Sequence, residues 1–249
     1  MNKKDFKCMK AMIFAAGLGT RFKPWTDKHP KALALVNGKS LLQRNVEYLQ
    51  LYGIKDVIIN VHHFADQVTE AIQKNNGWGS NIRISDERDE LLETGGGLLK
   101  AKNFFTPGEK FITCNADILT DLNIQDLVAY HNEKKALITF GVTERITSRY
   151  LLFDENDRLC GWKNTKTGET RISIPHIHYT ELAYSCVVFF EYEIFRLMEE
   201  KKFSGKFSLI DVYLALDAEH PIYGYDHSGD RLVDVGKPES VPLAEAVFP

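Results

Sequence analysis

The sequence predicts an α/β domain of three layers, with helices on both faces of a mostly parallel central sheet. Short β-branched runs alternate with amphipathic helix patterns through the first half of the chain, which is the order that parallel strands joined by crossover helices produce. The chain has 249 residues and 44% hydrophobic content, enough for one large core. We therefore expect one domain over residues 9–249, with residues 1–8 as a polar extension outside the first strand.

The first half begins with a buried strand at residues 11–15 and a helix that Ser40 caps. Leu42, Val46 and Leu49 share one face of that helix. The later elements of this half alternate as a strand at 57–61, a helix at 65–74, a strand at 81–85, a helix at 98–104 and a strand at 110–114. Parallel strands end at one edge of their sheet, so ligands are expected at that carboxyl edge.

The second half is less regular and is expected to contain a small β lid. A hairpin at residues 150–162, turning at 155–157, and a long apolar strand at 182–190 would form this lid. The other predicted elements are a helix at 123–134, a strand at 137–142, a helix at 207–216, a short strand at 232–235 and a helix at 241–247.

Charge and cysteine content exclude several classes of partner. The 31 basic and 34 acidic residues leave a formal charge of −3, which argues against a nucleic-acid-binding surface. No segment approaches the roughly 20 apolar residues that span a bilayer, so no membrane partner is expected. The four cysteines show no CxxC pair and predict reduced thiols in a cytoplasmic protein.

The segment at residues 16–31 carries the strongest chemical signal. Gly17 and Gly19 follow the first strand and leave backbone amides bare to an anion, while Arg21 and Lys31 add two cations. The third glycine of a dinucleotide fingerprint is absent, and so is the GK[ST] of a P-loop. The glycines alone are equally compatible with a structural turn, but with the cations they predict a triphosphate site.

Two aspartates at predicted strand ends suggest a magnesium site. Asp117 follows the strand at 110–114, and Asp234 follows the apolar pair Leu232-Val233 of the short strand at 232–235. Two carboxylates with phosphate oxygens make an octahedral set of the kind that Mg²⁺ takes. Each aspartate alone is as well explained by a helix cap or a turn.

A second glycine cluster stands at residues 93–97, Glu-Thr-Gly-Gly-Gly. Bare backbone at Gly95 and Gly96 offers a flat surface to a base, and Glu93 can accept a hydrogen bond from a sugar or base. A flexible loop is the alternative reading. The histidine pairs at 62–63 and 176–178 have no third ligand at metal spacing and are interpreted as structural.

These motifs together resemble the sugar-phosphate nucleotidyltransferases. The family signature AGxGTR followed by PK is matched at residues 16–21 and 30–31, and ETGGG, Asn-Ala-Asp at 115–117 and Val-Asp-Val-Gly at 233–236 fall in the family order. The resemblance implies a Rossmann-like nucleotidyltransferase fold, a nucleotide-binding half at 9–119 and a sugar-phosphate-binding half at 120–249. It also implies Mg²⁺-dependent attack of a sugar 1-phosphate on a nucleoside triphosphate, releasing pyrophosphate.

The resemblance also implies a role for each matched residue. Catalysis would rest on Arg21, Lys31 and Asp117, and the metal would bind Asp117 and Asp234. The nucleotide would contact two groups of residues, which are Ala16, Gly17, Gly19, Thr20, Arg21 and Lys31 in the first motif, and Glu93, Thr94, Gly95 and Gly96 in the second. The sugar would contact Asn115, Tyr184 and Ser185.

Within the family, the compact length and ETGGG look most like the N-acetylmuramate-1-phosphate uridylyltransferases, with UTP as the expected donor. Enzymes that activate mannose, heptose or glucose phosphates stay open, because residues 161–164 lack the EKP of many sugar-binding relatives. Phosphocholine cytidylyltransferase and a non-catalytic regulatory subunit are further alternatives. A monomer or small homo-oligomer is expected.

Overall fold

A computed structural model describes Phe6 and residues 8–249. The strands are β1 (Lys10–Phe14), β2 (Leu35–Val36), β3 (Lys39–Ser40), β4 (Asp56–Val61), β5 (Asn81–Asp86), β6 (Lys110–Asn115), β7 (Ile118–Thr120), β8 (Ile138–Thr143), β9 (Arg149–Phe153), β10 (Leu159–Asn164), β11 (Thr170–Ile172), β12 (Thr180–Glu191), β13 (Ile222–Asp226) and β14 (Leu232–Asp234). The helices are α1 (Leu41–Leu51), α2 (Ala65–Lys74), α3 (Glu93–Lys100), α4 (Ile124–Lys134), α5 (Ile194–Glu200), α6 (Leu209–Leu216) and α7 (Val241–Val247).

The centre of the main sheet has the strand order β5-β4-β1-β6-β12-β8-β13. Every neighbouring pair in this order is parallel except the two that β12 makes. The prediction of a mostly parallel central sheet is therefore confirmed. Since β6 and β8 both run antiparallel to β12, their carboxyl ends lie at the same edge of the sheet.

Strand β12 links this sheet to an antiparallel extension. Its first residues pair with β9, which continues into β10 and β11. Between the pairs Tyr184–Val142 and Val188–Phe140 the register shifts, so β12 bulges at residues 185–187. Cys186 has φ of 58° in this bulge. Such a bulge bends the strand and changes where its side chains point.

Helices cover both faces of the sheet, and β1 contributes buried side chains to the core on each face. Ala11 and Ile13 belong to one core cluster, which includes the apolar faces of α1, α2 and α4. Met12 belongs to the opposite cluster, with side chains of α3, α5 and α6. Successive residues of a strand face opposite sides, so one buried strand serves both cores. This arrangement confirms the three-layer prediction.

Local signals located most helices well. Helix α1 begins after Ser40, whose hydroxyl accepts from Gln43 N at 3.1 Å. Helix α2 has the predicted bounds. The helix expected at 98–104 instead begins at Glu93, so the second glycine cluster lies within this helix rather than before it. Strands β2, β3, β7, β11 and β13 and helix α5 were not predicted.

The amino-terminal segment is described only in part. Phe6 is 1% exposed and packs in the core cluster of α1 and α2. This burial corrects the expectation of a polar extension at that position, since an aromatic ring there removes apolar area from water. Residues 1–5 and 7, to which the same expectation applied, lie outside the described residues. Among the described helices, none is long and apolar enough to cross a membrane.

Candidate active site

The first glycine loop leaves β1 at the carboxyl edge of the sheet. Gly19 has φ of 61°, and a Cβ added there would lie 2.8 Å from Thr26 Cγ2 and 3.0 Å from Lys31 Cβ. Glycine is therefore required at residue 19 by both conformation and space. A Cβ added at Gly17 would meet nothing within 4 Å. The backbone at Gly17 consequently faces open space, as an anion-binding loop must.

A buried polar network holds the beginning of this loop. Ala15 N donates to Asn60 Oδ1 at 2.7 Å, and Asn60 Nδ2 donates to Glu87 Oε1 at 2.8 Å. Glu87 is fully buried, and burial raises the pKa of its carboxyl group. Leu92 N lies 3.4 Å from the other carboxylate oxygen of Glu87, just before α3. The network thus connects the first glycine loop to the helix that carries the second glycine cluster.

Asp117 and Asp234 come from distant parts of the chain and lie side by side. Strands β7 and β14 form a two-stranded antiparallel sheet in which Asp234 pairs with Ile118. Val235 N donates to Asp117 O at 2.8 Å and extends this pairing by one residue. Each aspartate is therefore fixed by backbone hydrogen bonds, independently of its own side chain.

Arg21 approaches the same point from the first loop. A Cβ added at Gly236 would lie 2.7 Å from Arg21 Nη2 and 2.7 Å from Asp234 Oδ1, so both groups border this glycine. Phe22, the next residue, is buried in a cluster with Val233 and Val235. The apolar contact of Phe22 with the strand that carries Asp234 positions Arg21 beside that carboxylate.

Lys31 completes the charged group. Its ammonium donates a hydrogen bond to Asp117 Oδ2 and forms an ion pair with it, and the two side chains are 16% and 17% exposed. Asn45, which is buried on α1, donates to Ala116 O at 3.0 Å and steadies the segment before Asp117. Two cations and two carboxylates therefore meet at the carboxyl edge of the sheet.

A cleft of about 280 Å³ opens beside these groups. The predicted site residues that line it are Ala16, Gly17, Lys31, Glu93, Thr94, Asn115 and Asp117. Gly95 and Gly96 are placed differently, because both donate their backbone N–H to Phe207 O, at 3.0 and 3.2 Å. A Cβ at Gly96 would overlap the Gly205 carbonyl oxygen. The glycines thus allow a close helix–loop contact rather than presenting bare amides.

Tyr184 and Ser185 also differ from expectation. The Tyr184 hydroxyl lies 3.2 Å from the Tyr213 hydroxyl in the core. Ser185 is 0% exposed, and its Oγ lies 2.8 Å from His227 Nε2. Both hydroxyls thus face interior partners, and Ser185 lies in the β12 bulge. The sequence gives no signal for that bulge.

Cys186 lies in the β12 bulge. Burial raises the pKa of its thiol, the charges of Asp117 and Asp234 raise it further, and Arg145 lowers it. Arg145 Nη2 donates to Tyr184 O at 3.0 Å, just before this bulge. Sequence analysis missed Asn60, Glu87 and Arg145. A polar residue ending an apolar strand was the available signal for Asn60, whereas the other two required the fold.

The comparisons with known proteins agree with this geometry. A family model described as nucleotidyl transferase matches residues 10–150, more than half of the chain. The chain is 41% identical over 104 residues to an N-acetylmuramate alpha-1-phosphate uridylyltransferase of Caulobacter vibrioides, covering 41% of this chain and 43% of the relative. It is 29% identical over 180 residues to a UTP–glucose-1-phosphate uridylyltransferase of Synechocystis, covering 66% and 46%.

Solved structures extend the likeness across the fold. HddC from Yersinia pseudotuberculosis, in complex with GMP-PN, matches with a TM-score of 0.78 and 22% identity, covering 97% of this chain and 100% of that one. In the sequence alignments, the chain spans about half or less of the length of the curated relatives it matches. The family model, the fold and the placement of the motifs agree, and the chain belongs to the nucleotidyl transferase family.

Proposed function

We propose that this protein transfers a nucleotidyl group from a nucleoside triphosphate to a sugar 1-phosphate, giving an NDP-sugar and pyrophosphate. The observation that carries the proposal is the meeting of Arg21, Lys31, Asp117 and Asp234 beside a cleft at the carboxyl edge of the sheet. Two cations and two carboxylates from three separate segments lie together at the edge where parallel sheets bind ligands, and this set matches a metal-bound triphosphate.

The amides at Gly17 and Gly19 and the guanidinium of Arg21 would bind the triphosphate. An acceptor phosphate oxygen would attack the α-phosphorus, and the bond to the β-phosphate oxygen would break and release pyrophosphate. Lys31 would leave its ion pair with Asp117 and neutralise the phosphates as charge redistributes. The acceptor is already an anion at neutral pH, so no general base is needed, and positioning with charge stabilisation supplies the rate.

The donor set fits Mg²⁺, which we propose as the cofactor held by Asp117 and Asp234. Asp234 Oδ1 is buried and has no hydrogen-bond partner among the described residues, as expected for a ligand atom. Within the same described part of the chain, no cluster of three acidic, histidine or cysteine side chains would hold a metal unaided. Phosphate oxygens and water would therefore complete the coordination. When bound, Mg²⁺ would neutralise phosphate charge.

We propose UTP as the donor and N-acetylmuramate 1-phosphate as the first acceptor to test, which would give the protein a role in cell-wall sugar metabolism in the cytoplasm. Three relatives support the donor, because the matches in Caulobacter vibrioides, Neisseria meningitidis and Synechocystis are all named uridylyltransferases. The first two support the acceptor, at 41% and 38% identity.

A pyrophosphate-release assay tests the proposal. Purified protein with Mg²⁺ is offered UTP, GTP, CTP, dTTP or ATP, each with the 1-phosphates of N-acetylmuramate, N-acetylglucosamine, glucose and mannose. We expect release with UTP and at least one acceptor. If no pair releases pyrophosphate while nucleotide still binds, the regulatory-subunit reading replaces the enzyme.

Two substitutions test whether the activity depends on the proposed site. Asp234→Asn removes one carboxylate charge at nearly constant volume and is expected to abolish turnover with little change in thermal unfolding. Asp126→Asn is a matched control, because Asp126 is exposed in the first turn of α4, away from the cleft. Full activity in Asp234→Asn would remove that carboxylate from the proposed metal site.

A further inference from the structure

Arg145 lies just beyond β8, at the edge of the sheet where Asp117 lies just beyond β6. Both strands pair with β12, through Ala183–Thr143 and Val187–Cys114, so the bulge at residues 185–187 lies between their carboxyl ends. Arg145 Nη2 donates to Tyr184 O, in the residue immediately before this bulge, so its guanidinium lies beside the bulge. Arg145 therefore borders the side of the site that belongs to residues 120–249.

The guanidinium of Arg145 has no counter-charge within the described part of the chain. No carboxylate oxygen there lies within 4.0 Å of it. Its Nη2 donates to Tyr184 O at 3.0 Å, and its Nε is buried without a partner. A half-buried cation that is only partly satisfied favours an anion, since charge-assisted hydrogen bonds are about twice as strong as neutral ones.

A cavity of about 240 Å³ adjoins Arg145. Thr143 lines it and is 6% exposed, and its hydroxyl has no hydrogen-bond partner among the described residues. Two acids also line the cavity, but neither neutralises Arg145. Asp230 faces His227 Nδ1 at 3.4 Å, and Glu144 is exposed to solvent. The cavity is thus bordered by a guanidinium that is only partly hydrogen-bonded and by a hydroxyl without a partner among the described residues, a donor set suited to a carboxylate.

We propose that Arg145, with Thr143, binds an anionic substituent of the acceptor and selects sugar 1-phosphates that carry a carboxylate. The inference rests on the proposed function and deepens it by naming the acceptor class. N-acetylmuramate 1-phosphate belongs to this class through its lactyl ether carboxylate, whereas N-acetylglucosamine 1-phosphate is the same sugar without it. Arg145 is then a specificity residue that contacts the substrate away from the reacting phosphorus.

The two acceptors provide the test. With UTP and Mg²⁺, kcat/KM is measured for both sugars in the wild type and in Arg145→Met, which keeps the apolar stem and removes the charge. We expect a loss of about tenfold to a hundredfold for N-acetylmuramate 1-phosphate, mostly in KM, from the lost charged hydrogen bond. The value for N-acetylglucosamine 1-phosphate and the KM for UTP should change less than about threefold. Arg149→Met is the matched control, because Arg149 is the exposed first residue of β9.

The outcomes are distinguishable. An equal loss with both acceptors would show that Arg145 acts only through the Tyr184 carbonyl, and would overturn the inference while leaving the proposed function intact. No loss with either acceptor in Arg145→Met would also overturn it, as would a wild type that prefers the acceptor without a carboxylate. Absence of turnover in the wild type with every nucleotide and sugar would instead refute the proposed function.

Discussion

Gly236 allows the geometry of the charged group to be perturbed without removing any charge. Its φ lies outside the left-handed region, so alanine at this position brings no backbone strain. The added methyl group would lie 2.7 Å from both Arg21 Nη2 and Asp234 Oδ1, whereas ordinary contact begins at 3.4 Å. One or both groups must therefore retreat by about 0.7 Å. Misplacement by about 1 Å near a reacting centre can cost about a hundredfold.

We expect Gly236→Ala to lower kcat for pyrophosphate release by about tenfold to a hundredfold. The midpoint of thermal unfolding should fall by only a few degrees. Glu239→Ala is the control, because Glu239 is an exposed neighbour outside the site. In an Arg21→Lys background, Gly236→Ala should lower kcat by a much smaller factor, because the effects of substitutions at interacting residues are not additive. Wild-type kcat in Gly236→Ala, with its stability unchanged, would refute the proposed placement of Arg21 and Asp234.

Three further substitutions test the supporting structure. Burial raises the pKa of Asp217 from 3.8 to about 6, so the folded state favours its protonated form, and the stability this gives below pH 4 is lost as pH rises through 6. Asp217→Asn should therefore be more stable than the wild type by roughly 1–3 kcal/mol at pH 7 and equal to it near pH 4, by urea unfolding. Gly96→Ala would overlap the Gly205 carbonyl and should lower the free energy of unfolding by about 1–3 kcal/mol. Asn60→Leu leaves Ala15 N without an acceptor, which should cost about 1–3 kcal/mol and raise KM for UTP.

For each of these three substitutions, a specific result would contradict the expectation. A stability difference for Asp217→Asn that is constant from pH 4 to 8 would show that ionisation of Asp217 is not its cause. Wild-type stability in Gly96→Ala would mean that α3 does not need its close contact with the loop at 205–207. An unchanged KM for UTP in Asn60→Leu would separate the buried network from the first glycine loop.

Features of the fold that depend only on neighbouring residues could be predicted from the sequence. Capping by Ser40, the apolar stripe of α1 and the bounds of α2 depend on neighbouring residues only, and the structure confirms them. The alternation of strands and helices likewise predicted the parallel sheet. Asp117 and Asp234 were paired from their positions at strand ends, and the structure brings them together through β7 and β14.

Features that depend on distant partners were not predicted. Three glycines in a row suggest a loop, yet α3 forms because residues 205–207 pack against it and only glycine leaves room for them. Tertiary contact overrides helix propensity there. Tyr184 and Ser185 were expected at the cleft, but their hydroxyls face Tyr213 and His227 in the interior. Which charges approach the Arg145 guanidinium likewise depends on the fold, and among the described residues no carboxylate oxygen lies within 4.0 Å of it.

Nucleotide-dependent metal binding tests the central claim most directly. Mn²⁺, as a paramagnetic substitute for Mg²⁺, is titrated into protein with and without UTP, and bound metal is followed by electron paramagnetic resonance. We predict one tightly bound Mn²⁺ per chain that requires UTP and is lost in both Asp117→Asn and Asp234→Asn, but retained in Asp126→Asn. Wild-type Mn²⁺ binding in either site variant would contradict a single metal-nucleotide site held by the two carboxylates.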